Sequence, residues 1–272
     1  MRTDLHIHTN MSDGRFSPSQ VIRMGASAGL EVMAVADHNT IAGLLEARRV
    51  AREHAIRLIP AVELATTLAP FAEVHILGYG FEPTNAALVE TFEHVRQLKR
   101  RQIHRIVERL GRDGIRIDFE DVVREAQSGY LGRQHLARVM SRKGAMSHYD
   151  IFQNYIGAQG RAYVPLDPFP PEQAIAAIVE AGGMAVLAHP GIELIDHAIK
   201  DLAGAGLGGI EVFRPPTQGS EQLYLEMVAE DFGLLMTGGS DWHGFPGDGP
   251  LGQFYVRSEL IAPFLERVLG GA

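Results

Sequence analysis

Cysteine is absent from the 272 residues, tryptophan occurs once, and no run of about 18 apolar residues exists. The first absence removes disulfides and thiolate metal sites, so any bound metal must rest on imidazole and carboxylate. The third removes membrane-spanning helices. Because Met1-Arg2-Thr3-Asp4 leads into a strand pattern without the apolar segment of a secretory signal, a soluble, cytoplasmic protein with no membrane partner is expected. Positive charge is also scarce: 25 Lys and Arg face 33 Asp and Glu, a net charge of -8. That balance argues against a general nucleic-acid coat protein, although bound divalent cations would reverse the local field and keep anionic substrates in play.

What is present is an alternation of strand and helix patterns. Asp4, His6 and His8 share one face of a strand whose other face carries Leu5 and Ile7. Ser17-Pro18-Ser19-Gln20 supplies an N-cap, a first-turn proline and a capping-box glutamine, and Val21, Met24 and Ala28 form the buried stripe of the helix that follows. Strands are then expected over 32–36, 57–62 and 74–77, with a helix over 41–54. After a gap the pattern resumes with helix 171–181, strand 184–188, strand 209–213, helix 218–231 and strand 234–237. Seven strand-plus-helix units result, arranged as a parallel sheet.

From about Asn85 to Ala162 the pattern is wholly helical. Leu88, Phe92, Val95, Ile106 and Leu110 share one side of a long helix that stops at Gly111, and shorter helices are expected over 119–126, 132–142 and 148–156. The chain therefore divides into a first β/α segment (1–84), an inserted helical cap (85–162) and a second β/α segment (163–272).

Nine side chains stand at or just past the ends of the strand patterns: His6, His8, Asp13, His38, Glu63, His75, His189, Asp241 and His243. Singly each could serve an ordinary purpose, such as a turn aspartate before Gly14 or a strand-end hydrogen bond at Asp37-His38. Jointly they are three carboxylates and six imidazoles at one mouth, more donors than one ion can use. A site of two or three divalent cations suits phosphate ester hydrolysis, because cations neutralise the ester oxygens and acidify water. Glu63, His189 and Asp241 are the residues expected to carry the catalysis, with His189 or water as the source of the proton for the leaving oxygen.

His6-Ile7-His8-Thr9, Asp13-Gly14, Asp37-His38-Asn39-Thr40, Glu63, His75, Ala188-His189-Pro190 and Gly239-Ser240-Asp241-Trp242-His243-Gly244 resemble the motif series of the polymerase and histidinol phosphatase (PHP) superfamily. The blocks Gly132-Arg133-Gln134-His135-Leu136-Ala137-Arg138, Ala162-Tyr163-Val164-Pro165 and Ala181 to Pro190 resemble its branch of 3',5'-nucleoside bisphosphate phosphatases and 5'-3' exoribonucleases. The resemblance implies an α/β fold, a distorted (β/α)7 barrel with an inserted helical subdomain, and three divalent metal ions, manganese first with iron or zinc also suited. His6, His8, Glu63 and Asp241 would hold the first ion, Glu63, His75 and His189 the second, and Asp13, His38 and His243 the third. Asp37 would orient an imidazole. Ala36, Asn39 and Trp242 depart from the commoner residues of the series without removing a ligand.

The same resemblance makes Arg133 and His135 candidates for clamping a phosphate, against the plainer reading of a surface arginine and a core-edge histidine. Arg214 is a candidate substrate contact at the mouth, against a loop-stabilising ion pair, and Tyr130 either stacks on a base or packs under the cap. The run Arg96, Lys99, Arg100, Arg101 and Arg105 reads as a solvated helix face or as a guide for RNA, and His54, His94, His104, His148 and His197 as structural. The implied activity is removal of the 3'-phosphate from a nucleoside 3',5'-bisphosphate, with 5'-3' trimming of short 5'-phosphorylated RNA beside it. Histidinol phosphatase is the enzymatic alternative, and a non-catalytic metal-dependent binding or polymerase-accessory module the alternative of another class. No protein partner is implied.

Overall fold

A computed structural model describes residues 1–144, 146–215 and 219–270. Its strands are β1 (Arg2–Ile7), β2 (Val32–Val35), β3 (Arg57–Thr66), β4 (Val74–Tyr79), β5 (Met184–Leu187), β6 (Gly209–Phe213), β7 (Leu235–Gly238) and β8 (Val256–Arg257). They form one sheet in the order β7-β6-β5-β4-β3-β2-β1-β8. Past the end of β7, Trp242 bridges to Ile7, and its carbonyl accepts the His8 N–H at 2.9 Å, so the sheet curls into a nearly closed barrel. The seam is tight: a Cβ on Gly239 would lie 2.4 Å from the His6 backbone nitrogen, which only glycine avoids.

Two details of the sheet differ from the sequence expectation. Short β8 adds an eighth strand, pairing antiparallel with β1 through Arg2 and Thr3. More consequentially, β4 runs antiparallel to both β3 and β5. The connection 67–73 is too short for the crossover of about a dozen residues that a parallel neighbour requires, so the chain must turn straight back. That reversal sets His75, next to the first residue of β4, opposite Ala65 near the end of β3. A residue at the start of its strand thereby joins the mouth formed by the ends of the others.

The helices are α1 (Pro18–Ser27), α2 (Leu44–Glu53), α3 (Ala86–Arg112), α4 (Phe119–Ala126), α5 (Arg133–Gly144), α6 (His148–Ile151), α7 (Pro171–Glu180), α8 (Ile192–Gly204), α9 (Gly219–Phe232) and α10 (Ala262–Leu269). Ser17 and Gln20 close the capping box of α1. The helix expected over 148–156 is α6 continued by a π-helical turn, Phe152–Ile156, and α8 and α10 were not anticipated.

Long α3 serves two cores. Leu88, Phe92, Val95 and Leu98 pack into the barrel core, whereas Ile103, Ile106 and Leu110 belong to a separate cluster with Val122, Leu136, Val139 and Ile151. Burying a side chain of this size contributes roughly 1.5–3 kcal/mol, so the α3 residues anchor the helices that follow onto the barrel.

Candidate metal centre

The nine donors picked from the sequence converge around Glu63. Its Oε2 lies 3.3 Å from His6 Nε2, 3.3 Å from His8 Nε2 and 3.0 Å from His38 Nδ1. Its Oε1 lies 2.9 Å from His75 Nδ1 and 3.0 Å from His189 Nε2. Asp241 Oδ1 adds contacts of 3.4 Å to His6 and 3.1 Å to His8, and Asp13 reaches His243 at 3.4 Å and His38 at 3.8 Å. Three overlapping groups have ligand atoms close enough to share an ion: His6, His8, Glu63 and Asp241; His8, Asp13, His38 and His243; His38, Glu63 and His75. The division differs from that implied by the resemblance in drawing His8 into the Asp13 group and His38, instead of His189, into the group with His75.

Several of these atoms face one another without hydrogen-bond geometry. His6 Nε2, both nitrogens of His8, His38 Nδ1, Asp13 Oδ1 and Glu63 Oε2 are enclosed yet lack any hydrogen-bond partner. Buried polar atoms are normally satisfied, and lone pairs gathered around common points are what a divalent cation needs, so the donor set fits such ions. The backbone is bent to the same end. His189 and Asp241 have φ of 31° and 53°, a left-handed region that non-glycine residues seldom occupy and that persists where surrounding structure enforces it.

The charges are strongly coupled. Burial opposes a charge on His8, but contacts with Asp241 and Glu63 outweigh it and lift its pKa to about 10. Burial likewise opposes protonation of His75, yet Glu63 and Glu73 carry it up to about 9. His38 goes the other way, to about 3, because burial outweighs Glu63 and Asp13. Glu63 is held well below the usual carboxylate range, since His38, His75 and His6 more than offset its burial. Cations binding here must displace protons from imidazoles, so occupancy falls as pH falls.

Each loop that carries a donor is pinned by a buried carboxylate. Glu211, on β6, lies 3.0 Å from His6 Nδ1 and accepts the backbone N–H of His189 at 2.8 Å. Asp4 accepts from the Ser240 N–H at 2.9 Å and its hydroxyl at 2.6 Å, fixing the loop that ends at Asp241. Asp37 accepts from Thr9 N–H at 2.8 Å and from the Thr9 and Ser12 hydroxyls, both at 2.6 Å. This corrects the expectation that Asp37 orients an imidazole: it holds the turn that delivers Asp13. Glu211 escaped the sequence reading, although a lone carboxylate inside Gly209-Ile210-Glu211-Val212-Phe213 was a visible signal.

Seven of the donors, all but His6 and His8, line a cleft of about 270 Å³ to which the helical segment contributes Lys99, Tyr130, Arg133, Gln134 and Phe152. A larger cavity of about 790 Å³ opens at the other end of the barrel, lined by Leu45, Tyr79, Phe81 and Val268, and touches none of the donors. Arg133 thus faces the cleft, 3.3 Å from Glu73. His135 does not. It is buried, its Nδ1 accepts the Gly132 N–H at 3.1 Å and its Nε2 donates to the Ser12 carbonyl at 3.0 Å, leaving no nitrogen for phosphate. Arg214 donates to the Pro190 carbonyl and pairs with Glu221, which matches the loop-stabilising role and not the substrate contact. Tyr130 is buried and stacks on His38 with ring centres 5.5 Å apart.

The basic run on α3 is also mostly engaged: Arg96 pairs with Glu93, Arg101 and Arg105 with Asp167, and Arg100 lies over Phe119. Lys99 is the exception to the surface reading, being buried against Glu73 in the wall of the cleft. Its place in the apolar stripe Phe92, Val95, Lys99, Ile103 could have shown this.

Comparison with known proteins identifies the family. The PHP domain family matches residues 4–154. A phosphoribosyl 1,2-cyclic phosphate 1,2-diphosphodiesterase from Eggerthella lenta is 33% identical over 94% of this chain and 99% of its own. A 3',5'-nucleoside bisphosphate phosphatase from Chromobacterium violaceum is 32% identical over 96% and 92%, and a 5'-3' exoribonuclease from Escherichia coli 32% over 88% and 84%. A solved structure from Chromobacterium violaceum, described as an amidohydrolase with bound sulfate and no metal, superposes with a TM-score of 0.86 at 30% identity, covering 94% of this chain and 92% of that one. No described helix is long and apolar enough to cross a membrane.

Proposed function

Because this chain belongs to the PHP domain family and is a metal-dependent phosphoesterase of it, we propose that it removes the 3'-phosphate of a nucleoside 3',5'-bisphosphate, leaving the 5'-monophosphate, and trims short 5'-phosphorylated RNA in the same cleft. The observation that carries this reading is Arg133, which lines the same cleft as Asp13, His38, Glu63, His75, His189, Asp241 and His243. A planar guanidinium grips a phosphate through two parallel hydrogen bonds, and a second phosphate on the substrate is what such a group recognises.

In this reading His6, His8, Asp13, His38, Glu63, His75, His189, Asp241 and His243 hold three divalent cations, with manganese first and iron or zinc also suited to imidazole and carboxylate. Such ions neutralise phosphate oxygens and lower the pKa of water. The chain's own part is placement. Glu63 joins the two halves of the donor set, Asp241 and His189 bring their donors in on constrained backbone, and Arg133 holds the phosphate that stays. The helices over 85–162 act as the cap that narrows the cleft around the substrate.

The Eggerthella lenta relative favours a second reading, hydrolysis of a cyclic phosphate on a phosphorylated ribose, which also presents two phosphate groups. A hydrolysis panel on manganese-loaded protein, read by chromatography of all products, separates the possibilities: a nucleoside 3',5'-bisphosphate, phosphoribosyl 1,2-cyclic phosphate, histidinol phosphate and a short 5'-phosphorylated RNA. The highest kcat/KM is expected on the bisphosphate. A higher value on the cyclic phosphate or on histidinol phosphate would replace this reading by the corresponding one.

A further inference from the structure

We propose that Arg138 is a positioning residue for the cation held by Asp13, His38 and His243. Through it the cap fixes the two loops that deliver Asp13 and His243, so affinity at that one site depends on a side chain outside the lining of the cleft. This rests on the reading that the donor set holds three cations.

The turn that carries Asp13 is held from two sides. On the barrel side Asp37 engages Thr9 and Ser12, and the Thr9 carbonyl accepts the N–H groups of Ser12 and Gly14. None of these bonds involves the Asp13 peptide carbonyl. Its one hydrogen bond among the described residues comes from Arg138 Nη2, at 3.1 Å, and the carbonyl before it, that of Ser12, takes His135 Nε2 at 3.0 Å. His135 and Arg138 stand three residues apart on α5 and so share a face. Arg138 also reaches the second loop, its guanidinium carbon lying 5.2 Å from the centre of the Phe245 ring, two residues past His243. Asp248 accepts the N–H groups of His243 and Phe245 at 3.0 and 2.9 Å, and Arg15 donates its N–H to the His243 carbonyl at 2.8 Å, which ties the two loops together. An ion pair does not account for where Arg138 lies. Its carboxylate neighbour Glu125 is 3.6 Å from Nε and meets Arg142 at 2.6 Å, and Nε itself is enclosed without a hydrogen-bond partner. A guanidinium beside a cation site repels the occupant, so what Arg138 contributes there is geometry.

The test uses the full chain, stripped of metal, crystallised and soaked at limiting manganese, with anomalous scattering reporting the occupancy of each site. Arg138→Met is expected to lower occupancy between Asp13, His38 and His243 while the other sites fill as in the wild type. A chelator titration should show that one site weakened by about 10–100-fold, with Arg138→Lys recovering part of the loss. Filled neighbouring sites report a folded barrel. Phe245→Leu removes the face on which the guanidinium lies and should weaken the same site severalfold, which decides the matter if the methionine variant does not fold. A uniform loss at all sites, no change, or tighter manganese binding through relief of repulsion would overturn the proposal. A wild type that holds no cation between Asp13, His38 and His243 removes the three-cation reading and the proposal together, whereas a wild-type cation there that is indifferent to these variants removes the proposal alone.

Discussion

His8 at the barrel mouth and His135 at the base of the cap are both buried, and they share no other property. Neither nitrogen of His8 has a hydrogen-bond partner, and two carboxylates raise its pKa to about 10. Both nitrogens of His135 are bonded to backbone, and burial, outweighing the pull of Asp13, takes its pKa down to about 4. Burial alone therefore says nothing about whether a histidine binds metal. What separates the two regions is satisfaction: the mouth gathers donors that the protein leaves unpaired, and the cap uses a similar side chain to close its own backbone valences.

The strongest way to break that contrast is at its centre. Glu63 contacts His6, His8, His38, His75 and His189, so Glu63→Ala should remove more than one metal equivalent and lower phosphate release by about 1,000-fold or more. Elemental analysis of the purified variant beside a turnover assay measures both. Full metal content with full activity would mean that the unpaired atoms of the mouth serve something other than cations.

A smaller effect is expected one contact further out. Glu211 orients His6 and fixes the His189 backbone without facing the cleft, and partners of this kind change metal affinity by about 10–100-fold when replaced. Glu211→Gln should weaken metal binding on that scale in a competition titration against a chelator while leaving the number of sites unchanged. A loss of sites would promote Glu211 to a direct ligand, and no change would reduce it to packing.

Much of the mouth was legible because a β/α sheet concentrates chemistry at strand ends, and nine imidazoles and carboxylates ending apolar runs far exceed what turns and strand-end hydrogen bonds require. The features missed are those whose meaning depends on direction or on a partner distant in sequence. His75 could be chosen as a donor, but its location required knowing that the short connection 67–73 reverses β4. Asp37 could be placed beside the donors, yet its hydrogen bonds run to Thr9 and Ser12 instead of an imidazole. Lys99 read as one of five basic residues on a helix until the apolar stripe around it placed it inside. Arg133 and His135 sit two residues apart on one helix start, and only the packing of α5 on the Asp13 turn turns one outward and the other in.

The effect smallest at neutral pH concerns His135 itself and sharpens the comparison from the cap side. With a folded pKa of about 4 against an ordinary 6.5, it resists protonation that the unfolded chain accepts. Its contribution to stability is therefore full above pH 6.5 and is lost as pH falls toward 4, about 3 kcal/mol across that interval. The raised imidazoles of the mouth have the opposite sign, since they gain protons more readily folded than unfolded, so total stability does not isolate the term. The difference between wild type and His135→Gln does. Denaturant unfolding of both proteins without metal, repeated from pH 7 to pH 4, should show the wild type losing its advantage as acid is added, while the glutamine keeps a backbone contact that does not titrate in this range. A difference that stays flat over the interval would mean that His135 is free to accept a proton, and with it that the cap histidine resembles those of the mouth after all.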